Sequence, residues 1–152
     1  MSNQNISNKI LYWYDNNKRK LPWRKKTSIK NREYFTLVSE FMLQQTQVAT
    51  VVPYFINFVK IFPNLKFLAN ANEKEVLKNW EGLGYYSRAR NLKKTAVNLL
   101  INFKGRLPKD IEKLKSLPGI GDYTSRSILA IAHNKPYIPM DGNVESCLLY
   151  TS

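Results

Sequence analysis

The residues of this 152-residue chain that could do chemistry are a carboxylate in an apolar run, a glycine turn and two aromatic-cationic clusters. Glu40 lies within Tyr34-Phe35-Thr36-Leu37-Val38-Ser39-Glu40-Phe41-Met42-Leu43. A carboxyl there either faces solvent or sits in a pocket where desolvation keeps its proton on. Spacing alone favours the solvent side, because charged residues are seldom fully buried. Leu117-Pro118-Gly119-Ile120-Gly121 places two glycines two apart, where the backbone can take positive φ and present bare N–H groups to a phosphate. A plain helix connector has the same pattern. Gly82-Leu83-Gly84-Tyr85-Tyr86-Ser87-Arg88-Ala89-Arg90 interleaves aromatic faces with cations, a combination suited to nucleotide stacking and phosphate contact as well as to a structural turn. Leu21-Pro22-Trp23-Arg24 offers a second stacking surface, although a loop tryptophan more often plugs a core. The amides of Gln44-Gln45-Thr46-Gln47 could bond base edges or polarise a helix start.

Helices must position these groups, and no strand-period segment, repeat or low-complexity tract competes with them. Apolar spacing predicts an N-terminal amphipathic helix over 6–17, with Ile10, Leu11 and Tyr14 on one face, and a loop over 25–32. A helix follows with Phe35, Val38 and Met42 on its buried face. Further helices are expected over 48–62, with Pro53 near its first turns, and over 73–80, with a short turn at 65–69 between them. The last three run over 91–103, 111–117 and 123–132, and His133 caps the last. The fold class is all-α.

Composition narrows the class of partner. Lys and Arg number 24 against 11 Asp and Glu, a formal charge of +13 spread along the chain, which points to nucleic acid. No apolar run approaches a membrane span, and the N-terminus lacks the apolar core of a signal peptide, so a cytoplasmic, nucleoid-associated protein is expected. The single cysteine, Cys147, can form no internal disulfide and by itself holds no metal cluster.

In order and context, LPWR, SEFMLQQTQV, VPYF, GLGYYSRARNL, LPGIGDYT and MDGNV resemble the MutY family of adenine DNA glycosylases. The resemblance runs from about Leu11 to Val144, and LQQTQV followed by GLGYYSRARNL separates this family from its relative endonuclease III. It implies a helix-hairpin-helix DNA glycosylase fold, with a six-helix barrel region plus an N-terminal helix. It also implies a monofunctional enzyme that removes adenine mispaired with 8-oxoguanine or guanine. The partner would be duplex DNA containing that mispair, bound by a monomer with no membrane.

The same resemblance carries roles onto matching positions. Glu40 would be the catalytic acid and Asp141 the catalytic aspartate, assisted by Tyr123 and Asn143. Leu21, Trp23 and Arg24 would line the adenine pocket. Gln45 and Tyr85 would enter the duplex near the mispair, and Arg88, Leu117, Gly119 and Gly121 would complete the DNA contacts. Family members continue through four cysteines that bind a 4Fe-4S cluster, and usually through a domain that recognises 8-oxoguanine. Neither is found here, so the chain is expected to be a C-terminally incomplete catalytic domain over 1–146, inactive alone. CLLYTS resembles a translated transposase adapter, which makes 147–152 a non-native tail. Two other readings stay open: an endonuclease III-type glycosylase for damaged pyrimidines, which would favour lysine at the place of Tyr123, and a non-catalytic helix-hairpin-helix DNA-binding module.

Overall fold

The computed structural model describes residues 21–133, so the predicted N-terminal helix, Asp141, Asn143 and the tail lie outside the described residues. Among the described residues there is no strand. A 3-10 turn, Pro22–Arg24, precedes seven α-helices: α1 (Ile29–Leu43), α2 (Val48–Ile61), α3 (Leu65–Asn70), α4 (Glu73–Lys78), α5 (Ser87–Asn102), α6 (Ile111–Lys115) and α7 (Asp122–Ala132).

Helix α1 is the centre of the molecule. It starts inside the stretch expected to be loop, because Ser28 accepts from Asn31 N at 3.2 Å and so satisfies one of the open amides of the first turn. It packs against the 3-10 turn, α2, α5 and α7, and every residue from Tyr34 to Met42 except Phe35 is buried. A helix covered on all sides has no wet stripe. The turn expected at 65–69 is helix α3, started by the Asn64 side chain on Phe67 N at 3.0 Å. Helix α2 continues through Pro53.

Aromatic rings fill the space between α1 and α2. Trp23 meets Phe55 edge-on at 5.3 Å, Phe35 meets the same ring at 5.6 Å, and Phe58 touches Trp80 at 5.9 Å. Buried Tyr34 donates its hydroxyl proton to Phe62 O at 2.6 Å, which satisfies a group that burial strongly holds in its neutral form.

Beside Tyr34 on α1, buried Glu33 receives the Arg106 guanidinium at 2.7 Å and Leu107 N–H at 2.9 Å. Burial alone would raise this carboxyl, but the Arg106 and Leu107 hydrogen bonds, with the positive fields of Arg106 and His133, bring the net shift below the ordinary glutamate value. A depressed folded value adds stability above the ordinary carboxylate range, and that stability is lost as pH falls through the depressed value. Glu33→Gln is therefore expected to lower stability by about 1–3 kcal/mol near neutral pH. Urea midpoints of the two proteins should converge in acid; a gap independent of pH would refute the assignment.

Candidate active site

The site is assembled where α1 meets α7. Only 9% of Glu40 is exposed, which corrects the solvent-facing expectation: the residue points between helices, and no face of α1 was free to take it out. Ser127, on α7, donates its hydroxyl to Glu40 Oε1 at 2.8 Å. Burial raises the Glu40 carboxyl above the ordinary range, and the Ser127 hydrogen bond and the Arg24 guanidinium offset that rise only in part. The result is a carboxyl that keeps its proton to higher pH than a solvated glutamate does.

The 3-10 turn packs on α1 and brings the Arg24 charge to bear on this carboxyl. Leu21 and Arg24 are half-buried, and Arg24 Nε is enclosed without a hydrogen-bond partner. Trp23 is core, 4% exposed, so its ring is not a free stacking surface. Tyr123 is half-buried one turn before Ser127 on α7, on the same helical face. Ser127 is not among the residues singled out from the sequence above. The i, i+4 relation to Tyr123 was the available signal.

The hairpin consists of α6, the turn and α7. Asp110 starts α6 by accepting from Glu112 N at 2.8 Å and Lys113 N at 3.2 Å. In the turn, Thr95 donates to Pro118 O at 2.8 Å and Gln44 Nε2 donates to Gly119 O at 3.2 Å, so the turn's carbonyls are tied down onto α5 and the end of α1. Gly119 has φ +79°, and a Cβ there would lie 2.8 Å from Phe41 Cε1 and 2.9 Å from Asn91 Cβ. Gly121 differs from expectation. Its φ is −91°, and it precedes α7 as an exposed N-cap without a side chain, where the open first-turn amides of a helix can meet an anion. Leu117 is 2% exposed, so its side chain packs inward.

Gln45 and Tyr85 sit on the two loops flanking this surface, both exposed and both with left-handed backbone, φ 58° and 48°. Arg88 does not join them there. Expected among the DNA contacts, it is 6% exposed and turned into the protein, where its guanidinium bonds backbone carbonyls. The structure thus joins buried Glu40 and Ser127 within the field of half-buried Arg24 and leaves Gln45, Tyr85 and the hairpin turn on the surface.

The chain matches a family model for HhH-GPD superfamily base excision DNA repair proteins over residues 38–149. The chain belongs to this superfamily. Among its HhH-GPD relatives, the adenine DNA glycosylase of Rattus norvegicus is 45% identical over 140 residues, 89% of this chain and 27% of that protein. The adenine DNA glycosylase of Buchnera aphidicola subsp. Baizongia pistaciae is 45% identical over 141 residues, 92% of this chain and 39% of that protein. The chain therefore spans well under half the length of these curated relatives. The HhH-GPD fold itself is supported by a thermostable thymine-DNA glycosylase, matched with a TM-score of 0.74 at 24% identity over 92% of this chain and 63% of that one. No described helix is long and apolar enough to cross a membrane.

An iron-sulfur cluster of the four-cysteine kind does not fit the residues of this chain. Its one cysteine, Cys147, cannot supply four thiolates, and the described residues hold no group of three or more His, Cys, Asp or Glu suited to a metal.

Proposed function

We propose that this chain is the catalytic part of an adenine DNA glycosylase that excises adenine mispaired with 8-oxoguanine or guanine. The observation that carries the reading is buried Glu40, enclosed between α1 and α7, bonded to Ser127 and shifted by burial toward its protonated form. Adenine is a poor leaving group as an anion, so an acid must protonate its ring, at N7, as the glycosidic bond breaks. Ser127 occupies Oε1 and leaves Oε2 to carry the acidic proton. Arg24, with its enclosed Nε, and half-buried Leu21 would border the flipped base, with Trp23 supporting them from the core.

The sugar left behind becomes cationic, and Asp141 would stabilise that charge, assisted by Tyr123 and Asn143. The base must first leave the stack, at a cost of a few kcal/mol, and Gln45 and Tyr85 would offset this by filling the space. The hairpin at Gly119 and Gly121 would hold a flanking phosphate through backbone amides, which fixes the strand without reading it. Any iron-sulfur cluster and any domain recognising 8-oxoguanine would belong to the rest of the protein, and no step above depends on either. Residues 147–152 lie outside this chemistry, and the protein would act as a monomer in the nucleoid.

The test is single-turnover excision by the whole protein on duplexes containing adenine opposite 8-oxoguanine, with a thymine glycol duplex beside it. Adenine release with no action on thymine glycol is the expected result; the reverse preference would move the protein to the endonuclease III type, and no release from either would favour a binding module. Tyr123 adds a second expectation, because a phenol cannot form a Schiff base with the opened sugar as a lysine would. The product strand should be intact and abasic. Borohydride trapping of a covalent enzyme-DNA species at the rate of excision would contradict this.

A further inference from the structure

Gln45 and Tyr85 hold a backbone conformation that bulky L-residues avoid, and such conformations persist only where the surroundings over-determine them. Lys104, also left-handed at φ 54°, needs no special cause: it ends α5 ahead of Gly105, whose N–H returns to Leu99 O at 2.8 Å as in an ordinary helix stop. Gln45 follows the C-cap of α1 in a turn that Thr46 N–H closes onto Leu43 O at 3.3 Å, and Tyr85 lies just ahead of α5 with no helix end to explain it. What their loops share is Arg88. The two N–H groups of its Nη1 are shared among Met42 O at 2.7 Å, Thr46 Oγ1 at 3.0 Å and Gln44 O, which brackets Gln45 from both sides. Its Nη2 donates to Gly84 O at 3.0 Å and its Nε reaches Tyr85 O at 3.4 Å. The guanidinium also lies 5.4 Å from the Tyr85 ring and 5.5 Å from that of Trp80, which packs it from the core side.

We propose that Arg88 is a positioning residue that locks the Gln44–Gln47 and Gly82–Tyr86 loops into one rigid unit, so that Gln45 and Tyr85 are set before DNA arrives and enter the duplex together. This rests on the reading above that the two side chains insert beside the mispair. The chemistry requires arginine. A planar fork with donors on separate nitrogens can serve two loops at once, whereas a lysine ammonium is a point on one stem and can satisfy one of them.

The experiment compares the whole protein with its Arg88→Lys variant in single-turnover excision from two DNAs. One holds adenine opposite 8-oxoguanine in a fully stacked duplex; the other holds adenine opposite an abasic site within a short unpaired bubble, where extrusion is already easy. Arg88→Lys is expected to lose on the order of 10²-fold on the stacked duplex, the size of effect that a small misplacement of a positioning group produces, and far less on the bubble. Thr46→Val, which removes one hydrogen bond to the same Nη1 and spares the core, should show the same selective loss to a smaller degree; it carries the test if Arg88→Lys does not fold. Equal losses on both DNAs, or none on either, would overturn the proposal and leave Arg88 as packing. Gln45→Ala and Tyr85→Ala run in parallel. If they lose nothing on the stacked duplex, the insertion reading falls and the lock with it; if they do lose while Arg88→Lys and Thr46→Val do not, the lock alone falls.

Discussion

Glu40→Gln in the whole protein abolishes adenine excision and at the same time makes the fold more stable near neutral pH. The amide keeps the shape and can still accept from Ser127, but it has no acidic proton, and loss of a general acid removes about 10²–10⁴ from the rate. The stability gain follows from the sign of the shift. The folded carboxyl holds its proton to higher pH than the unfolded one, so the stability it contributes is complete below the ordinary glutamate value and declines as pH rises from there through the raised folded value. Glutamine has no charge to bury and escapes that decline, so the variant's advantage in urea midpoint should grow from acid to neutral pH. This is opposite in direction to Glu33, whose charged form the fold favours. Duplex affinity should be nearly unchanged, since Glu40 lies beneath the surface. Wild-type single-turnover rates in Glu40→Gln would end the acid assignment, and a variant less stable than wild type at neutral pH would mean that the carboxyl is not held protonated.

Gly119→Ala should be the most damaging single methyl that can be added to the hairpin. The new Cβ meets Phe41 and Asn91 below the distance that real Cβ atoms tolerate, and the backbone there has φ +79°. Left-handed strain and overpacking together amount to about 2–4 kcal/mol. Gly84→Ala separates the two contributions, because Gly84 has φ +82° but nothing within 4 Å of a Cβ. Its loss should be the strain alone. Since Phe41 is the residue after Glu40, the Gly119 variant should also lose excision rate beyond what its stability explains. Urea unfolding of both variants at equal slope provides the measurement, and equal midpoints for the two would show that the clash is absorbed.

The helices could be found in the sequence because most of them are half-wet, with caps and periods that local pattern displays. Those cues failed at α1 and α3. Helix α1 is enclosed by four partners, so the inference from spacing alone that a charged residue takes the open side had no open side to act on, and only the resemblance pointed Glu40 to an active role. Helix α3 is six residues long, too short for a period to show, and only Asn64 announced it. Within the site, residue type was legible and direction was not. Tyr85 and Arg88 stand three apart in a segment rich in stacking and phosphate-binding chemistry, yet one is exposed and the other is folded into carbonyls of a loop more than forty residues earlier. Nothing local distinguishes them, because the acceptors belong to distant chain. Ser127 was missed for the same reason: its partner, Glu40, is 87 positions away.

The inward turn of Arg88 also bears on how the protein would respond to salt. Binding to DNA releases condensed counterions in proportion to the phosphates neutralised, and the slope of log affinity against log salt counts them at roughly 0.9 per phosphate. A guanidinium spent on backbone carbonyls neutralises no phosphate. The formal +13 therefore overstates the charge available for ion exchange with DNA. Among the described residues that exchange falls to exposed lysines such as Lys25, Lys26, Lys30 and Lys66, so salt sensitivity and the arrangement of the inserting loops depend on different cations and can vary independently.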